Sequence, residues 1–452
     1  MNNLKTIILA AGEGKRMKSN IPKVLHKILN KTMIDYVIEQ AINFGSEEIC
    51  IITGHKSKEV ESSIKNKDLK FVKQNEQLGT GHAVMQAEQF IDENKDIIIL
   101  YGDTPLITAE TIKKLIEFHR EKDNDCTIIS SIVDDPKGFG HIIRDDNGIF
   151  VKNIEHKDAN DEEKLINEIN TGIYCFKGSV LKKYLNKITN NNSQNEYYLP
   201  DIFEIIISDN GKVDAMKTYD FTEFFGVNSK LQLSKAIEIM KNRINNKLMK
   251  NGVTIIDPQN TYIDCDVSIG SDTIIYPNCF IEGNTVIGEY CEIGPNSRIT
   301  NMIIGNEVKL QSSTVVDSKI GDRTTVGPYA YIRPNSNIGE DVKVGDFVEV
   351  KNSNISNKTK ISHLTYVGDT DCGKNVNFGC GTVTVNYDGK NKFRTTIEDN
   401  VFIGCNANLV APVEIKKNSY IAAGSTITND VPENVLAIAR TKQKVIEGWI
   451  KK

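Results

Sequence analysis

"YIDCDVSIGSDTIIYPNCFIEGNTVIGEYCEIGPNSRI", Tyr262 to Ile299, places an isoleucine at 263, 269, 275, 281, 287, 293 and 299. A spacing of six fits neither the 3.6-residue period of a helix nor the two-residue alternation of a strand. It fits a parallel β-helix, in which each hexapeptide forms one short face of a prism, with one aliphatic inward and a glycine at the turn. The frame slips and resumes at Ile304, Leu310 and Val316, then runs from Ile320 through Val326, Ile332, Ile338, Val344 and Val350. A last run takes Ile397, Ile403, Leu409, Ile415, Ile421 and Ile427. Glycine often follows the aliphatic, as in Ile269-Gly270, Ile287-Gly288, Ile320-Gly321 and Ile403-Gly404, and Cys279 and Cys291 fill small-residue places. The spacing leaves the hand of the coil open.

Before this repeat the pattern is different. Ile7–Leu9, Ile49–Thr53, Ile97–Tyr101 and Thr127–Val133 read as strands, and Met33–Phe44, Ala83–Phe90 and Thr111–Arg120 as the helices between them. That rhythm predicts a Rossmann-like, mostly parallel sheet with helices on both faces, and ligands at the carboxyl ends of its strands. Ile237, Met240, Ile244 and Leu248 recur at helical spacing, with Gly252 as a stop. The expected organisation is an α/β domain over 1–229, a linker helix over 230–251 and the solenoid over 252–452.

A chain of 452 residues with 25% charged and 39% hydrophobic residues is ordinary soluble material of two or three domains. A net charge of −5 with pI near 5.9 argues against a nucleic-acid surface, so any phosphate must be met by local cations. The apolar runs are shorter than a membrane span and no signal peptide opens the chain. Nine cysteines without a C-x-x-C pair read as reduced thiols of a cytoplasmic protein.

Chemistry is sought first in "LAAGEGKRMKSNIPKVLH", Leu9 to His26. Met17 stands where a dinucleotide fingerprint needs its third glycine, and Arg16 where a Walker loop needs Ser or Thr, so both readings fail. What is left is a strand-to-loop transition whose amides could meet phosphate oxygens, with Arg16 and Lys23 to neutralise them, or else a solvent-exposed basic turn. "QNEQLGTGHA", Gln74 to Ala83, again ends a strand and opens a helix. "LYGDTPLI", Leu100 to Ile107, puts Asp103 at the mouth of an apolar strand, where a carboxylate either holds Mg²⁺ against phosphates or caps a helix. "GFGHII", "NIEHKDA", "EINTGIY" and "GVNSK" follow in order.

Together these motifs resemble those of the sugar-phosphate nucleotidyltransferases, with their L-A-A-G-x-G-x-R-M…P-K signature. Both halves in order resemble the family of bacterial bifunctional N-acetylglucosamine-1-phosphate uridyltransferases/glucosamine-1-phosphate acetyltransferases, over nearly the whole chain. The resemblance implies a left-handed coil and assigns residues. Leu9, Ala10, Ala11 and Gly12 would line the nucleotide, Arg16 and Lys23 would bind phosphates, and Gln74, Gly79 and Thr80 would read uracil. Tyr101, Gly102, Gly140, Glu155 and Asn170 would surround sugar and ribose, and Asp103 and Asn228 would hold Mg²⁺. The sugar phosphate would attack the α-phosphorus of UTP, which needs positioning and charge neutralisation rather than a protein nucleophile.

In the solenoid, "KISHLTYVGD", Lys360 to Asp369, reads as a break in the prism, and Asp388-Gly389 begins a polar excursion. His363 is the only one of seven histidines beyond residue 156. A neutral imidazole is suited to take a proton from an amine attacking a thioester. By resemblance His363 is the general base. Arg333, Lys351, Tyr366 and Asn377 would hold glucosamine-1-phosphate. Cys380, Asn386, Tyr387, Cys405, Ala423 and Arg440 would bind acetyl-CoA, with Arg440 on a tail that leaves the repeat after Pro432. Cys380 stands where the family usually has Ala and Cys405 where it has Ser, and both otherwise read as small core residues. A three-sided prism also favours a homotrimer, as the resemblance does. The competing reading makes the solenoid only an oligomerisation or regulatory module on a single nucleotidyltransferase.

Overall fold

The computed structural model describes residues 3–65 and 68–450. Two compact units divide the chain, Met1–Met240 and Lys241–Lys452.

The first unit is built on strands β1 (Leu4–Ala10), β2 (Lys27–Ile28), β3 (Lys31–Thr32), β4 (Glu48–Thr53), β5 (Leu69–Lys73), β6 (Asp96–Tyr101), β7 (Cys126–Ile132), β8 (His141–Arg144), β9 (Phe150–Ile154), β10 (Glu168–Lys177) and β11 (Val213–Thr218). Its main sheet runs β11-β7-β10-β6-β1-β4-β5, with β8 and β9 attached at β10 and β2–β3 forming a separate hairpin. Neighbours on that path are parallel except β10, which runs against both β6 and β7. Every residue of β1 is buried, because alternate side chains enter two different cores. Ile7 and Leu9 join one, with Ala83, Leu181 and Phe203. Leu4 and Ile8 join the other, with Ile34, Val37 and Leu115. Helices α1 (Met33–Asn43), α2 (Ser57–Ser63) and α4 (Ala109–Glu121) therefore cover one face of the sheet, and α3 (Thr80–Gln86), α5 (Gly178–Tyr184) and α6 (Ile202–Ser208) the other. Side-chain hydroxyls cap α1 and α4: Thr32 Oγ1 accepts from Asp35 N and Thr108 Oγ1 from Thr111 N, both at 3.3 Å.

The expected helix over Ala83–Phe90 is displaced. α3 starts at Thr80 and gives way to a separate turn over Glu88–Phe90. Gly79, at φ +110, lies where a Cβ would come within 2.6 Å of Tyr197 O. The chain turns into the helix there because only glycine tolerates both the conformation and the contact.

α7 (Lys230–Lys250) closes the first unit and opens the second. Its last turn brings Leu248 onto the core of the coil, with Ile244 packed beside it, and Gly252 at φ +93 ends it. Three parallel sheets of 11, 10 and 9 short strands then wind around one core. Each strand pairs with the one a coil later, as Ile275 with Ile293 and Ile281 with Ile299. The aliphatics of the six-residue frame point inward with one exception. Val315, at 0% exposure, takes the place expected for Val316, because Leu310, Val315 and Ile320 are spaced by five and the chain cuts two corners short.

Three further expectations are corrected. The stretch Lys360–Asp369 does not break the prism: Ile361 and Val367 pair with Val344 and Val350 and continue the core. Only the segment between strands Val383–Val385 and Thr395–Ile397 leaves it, as a loop tied by the Asp388 carboxylate accepting from Lys390 N and Asn391 N at 2.7 Å. The coil also continues past Pro432, because Leu436–Ala437 pairs with Tyr420–Ile421. Finally, the glycine after the aliphatic does not make the turn. Asparagine holds many of the left-handed corners instead, and Asn375, Asn400, Asn418 and Asn434 (φ +55 to +60) form an amide ladder at 3.0–3.2 Å. Gly270 and Gly404 are needed for close approach: a Cβ there would lie 2.7 Å from Gly288 C and 2.5 Å from Ala423 N.

The corrected frame makes a direct prediction. Val315→Asp should abolish cooperative unfolding of the coil or lower its stability by ~3 kcal/mol or more, as an unpaired buried charge does, while Val316→Asp should cost under about 1 kcal/mol. Equal loss in thermal melts of the two variants would refute the register.

Candidate functional site

At the carboxyl ends of β1, β5 and β6 lies a cavity of about 310 Å³, whose lining includes Leu9, Ala10, Ala11, Gly12, Lys23, Gln74, Gly79, Thr80, Tyr101 and Asp103. Lys23 is its electrostatic centre. Its Nζ lies 2.5 Å from Asp103 Oδ2 and 2.9 Å from Asn228 Oδ1. The opening loop explains its placement. Gly14, at φ +67, packs so that a Cβ would meet Lys23 Cβ at 2.7 Å, and the second glycine of the loop thus lets the lysine turn inward. Arg16 is not brought in, since its turn, Lys15–Met17, buries Met17 and leaves the arginine exposed. Asp103 does not cap a helix; that role falls to Thr108.

A second cavity of about 350 Å³ adjoins the first and shares Thr80, Tyr101, Asp103 and Glu196 with it. Gly140, Glu155, Asn170 and Asn228 line it as expected. Asn170 is held by Asn153 Oδ1 and Tyr174 Oη, each 3.1 Å from its Nδ2. Gly102 is in neither lining; it donates to Leu9 O at 2.9 Å beneath them. Glu196 and Gln77 line the first cavity unforeseen. No spacing ties Glu196 to β6, so only the fold could reveal it.

Burial dominates the electrostatics here. It raises the Glu155 carboxyl and pushes Asp201 up to about 6, with the Glu155 charge adding to the effect. A carboxyl whose folded value lies above its unfolded one stabilises while protonated, and that contribution is lost as pH rises through about 4 to 6. Asp201→Asn should therefore raise the melting temperature at pH 7 and leave it unchanged at pH 4. The gain is on the order of 1 kcal/mol once solvent screening of this half-exposed group is allowed for. A melting difference independent of pH would contradict it.

In the coil, the register gathers the second set of residues. Asp346 pairs with His363, and Nδ1 of the imidazole lies 2.6 Å from Asp346 Oδ1. This aspartate was not foreseen, yet it stands 17 residues before His363, one coil back, where the frame could have found it. The hydrogen bond lowers the Asp346 carboxyl and leaves His363 Nε2 at an exposed corner. Two residues past the pairs Ile361–Phe378, Phe378–Ile403 and Ile403–Ile421 stand His363, Cys380, Cys405 and Ala423, one per coil. Arg440 Nη1 donates to Ala423 O at 2.8 Å and closes the column. Cys405 is exposed and Cys380 half-buried, so neither is a core residue; Cys279 and Cys291 are. The corner turns their side chains outward, which a hexapeptide pattern does not distinguish from inward.

On the neighbouring face, Arg333 follows and Lys351 ends strands that stack directly, with Tyr366 beside them. Lys351 lies 3.8 Å from Asp369, to which Asn386 Nδ2 donates, and Asn386 is 3.5 Å from Tyr366 Oη. Lys392, on the excursion, sits against Lys351 and, with burial, pulls the Lys351 ammonium below its usual value. Three cations, not two, thus crowd this face. Tyr387 is exposed and donates to Gly389 O. Asn377 stands apart, in the column of Lys360 and Phe402.

Comparison with known proteins now decides the family. A nucleotidyl transferase model matches residues 5–221, a GMPPB C-terminal domain model residues 260–366, and a bacterial transferase hexapeptide model of six repeats residues 394–429. The bifunctional protein GlmU of Clostridioides difficile is 52% identical over 450 residues, covering 100% of this chain and 98% of that protein. Those of Clostridium beijerinckii and Caldanaerobacter subterraneus subsp. tengcongensis are 53% and 54% identical, covering 99% and 100% of this chain and 98% of each relative. The chain belongs to the bifunctional GlmU family. As a member it is a two-activity enzyme of UDP-N-acetylglucosamine biosynthesis, a uridyltransferase and an acetyltransferase, and its coil is the left-handed parallel β-helix of hexapeptide repeats. The GlmU assignment sets aside the reading of the solenoid as a mere oligomerisation module. Among the described residues no helix is long and apolar enough to cross a membrane.

Proposed function

We propose that the two cavities of the first unit hold UTP and N-acetylglucosamine-1-phosphate, and that the corner at His363 is where acetyl-CoA acetylates glucosamine-1-phosphate. The observation that carries the first half is the convergence of Asp103 and Asn228 on one cation, the Lys23 ammonium, where the two cavities meet. One carboxylate and one amide oxygen are hard donors, and they fit Mg²⁺ held mainly by substrate phosphates and water. Among the described residues no group of three or more His, Cys, Asp or Glu side chains could hold a metal alone. When bound, Mg²⁺ supplies charge neutralisation to the phosphates. Lys23 adds a second positive charge beside them, and Gly140, Glu155 and Asn170 fix the sugar so that a phosphate oxygen attacks the α-phosphorus in line and pyrophosphate leaves.

The Asp346–His363 pair carries the second half. Because Nδ1–H is donated to the carboxylate, Nε2 is the free base; it takes the proton of the glucosamine amine as nitrogen attacks the thioester carbonyl, and CoA leaves as thiolate. Arg333, Lys351 and Lys392 meet the sugar's phosphate with Tyr366 beside it, and Asn377, on another face, would reach the same sugar across the contact between copies. Asn386, Tyr387, Cys380, Cys405, Ala423 and Arg440 take acetyl-CoA, the column of small side chains giving the cofactor arm a path along the coil. The substrates, UTP and acetyl-CoA, suit a cytoplasmic enzyme.

Separate chemistries should separate by mutation. Asp103→Ala and EDTA should each stop pyrophosphate release and spare thiol release, while His363→Ala should do the reverse. Asp346→Asn, which offers the imidazole the wrong partner, should lower kcat of acetyl transfer tenfold or more with uridylyl transfer unchanged. Near-normal acetyl transfer by His363→Ala would sink the general-base assignment.

The working acetyltransferase is a homotrimer in this reading. Asn377 and the His363 column lie on different edges from Arg333 and Lys351, and residues 440–450 are exposed, with Trp449 at 79% and Ile450 at 86%. Neighbouring copies would complete the site, and closed three-fold symmetry suits a three-sided coil. Sedimentation equilibrium on active enzyme should give about three times 50.5 kDa; a fully active species of one chain's mass would overturn it.

A further inference from the structure

We propose that His82 sets the choice of base in the nucleotide cavity by holding the Gln74 carboxamide in one orientation. The inference rests on the reading above that Gln74 faces the base. Gln74 is 3% exposed, anchored by its backbone N–H to Thr53 O at 2.7 Å, and lines the cavity beside Gly79 and Thr80. Its Nε2 lies 3.2 Å from Gly79 O and 3.1 Å from His82 Nδ1. A backbone carbonyl only accepts, so the amide arm turned toward Gly79 is the NH₂. Its two hydrogens are then used, one on Gly79 O and one on the lone pair of His82 Nδ1. Among the described residues no donor reaches Gln74 Oε1, which is left to the cavity as a bare acceptor.

His82 can accept at Nδ1 only as the tautomer that carries its proton on Nε2. That nitrogen faces the Gln86 amide, 3.2 Å away. Two amide NH₂ groups cannot both donate to one neutral imidazole, so one amide must turn its oxygen. Turning either amide would set its oxygen against a backbone carbonyl, at His82 O for Gln86 and at Gly79 O for Gln74, but Gln86 is only half-buried and can swing its amide toward water, whereas Gln74, at 3% exposure, has no such freedom. Gly79 O and the His82 Nδ1 lone pair thus hold the two hydrogens of Gln74, Gln86 yields, and Gln74 offers Oε1.

An acceptor in that place distinguishes bases. Uracil presents an N3–H and bonds to Oε1; cytosine presents a lone pair at N3, and two buried acceptors would face each other unpaired. His82 is therefore a positioning residue for specificity and touches no substrate itself. It rides on α3, whose start is fixed by the contact of Gly79 with Tyr197.

The test uses full-length enzyme with saturating N-acetylglucosamine-1-phosphate, and reads kcat/KM for UTP, CTP and 5-methyl-UTP. His82→Leu should lower the UTP:CTP ratio about tenfold, the size of one lost discriminating hydrogen bond. The UTP:5-methyl-UTP ratio should stay constant, since both carry N3–H, as should the KM of the sugar phosphate. His82→Asn, whose Oδ1 replaces Nδ1 as acceptor, should restore the ratio. A His82→Leu enzyme that loses UTP and CTP activity equally, or keeps the wild-type ratio, overturns the proposal. Should that variant fail to fold in thermal melts, His82→Ala is read the same way. Wild-type enzyme that uses CTP as well as UTP would refute instead the reading that Gln74 meets the base.

Discussion

Within the coil, each inward aliphatic rests on another one turn above it, and that stack holds only while neighbouring backbones stay in parallel register about 4.8 Å apart. The spacing leaves no room for side chains between certain turns, hence the glycines whose Cβ would strike the next backbone. It also forces every residue of a column to share one environment along the whole axis. Asp346 and His363 are hydrogen-bonded for that reason: the register that stacks Val344 on Ile361 aligns them as well. The Asp346–His363 hydrogen bond is a by-product of core packing.

The same constraint separates roles by direction. Residues of the frame that point inward cannot reach a ligand, which leaves the outward positions of the faces, the corners and the one excursion. The excursion carries Lys392 against Lys351, which holds the Lys351 ammonium below its usual value. Like charges held together by a stiff scaffold raise affinity for an anion that relieves the repulsion. A phosphate therefore has more to gain here than at an isolated surface lysine.

In the reading proposed above, the first unit meets phosphate differently. Its sheet supplies strand ends, and loops that end in glycine fold over them closely enough for Lys23 to be enclosed with Asp103 and Asn228. Here charge is balanced before any ligand binds, and the chemistry depends on redistributing that balance. On the proposed mechanism one unit works through a base at an exposed corner, while in the other no protein group need exchange a proton. The two activities are thus independent in their physical demands.

Periodicity and motif order sufficed for the class of each half, the inward column and most cavity residues, because backbone period and local turn chemistry are properties of neighbouring residues. Val315 in place of Val316, asparagine at the corners, and the continuity of the prism through His363 were hidden, since a five-residue face and a six-residue one differ only in how corners close. Arg16 kept its place in the signature but not in the cavity, because its turn spends its inward position on Met17. Lys392, Glu196 and the Gln74–His82–Gln86 chain emerge only in three dimensions. Each joins residues whose separation carries no period of its own, or whose meaning depends on which atom of a side chain faces which neighbour. Sequence specified which groups the chain owns and the lattice they hang on; tertiary packing decided which of them touch, because contact depends on register and side-chain direction, and those are set by the core.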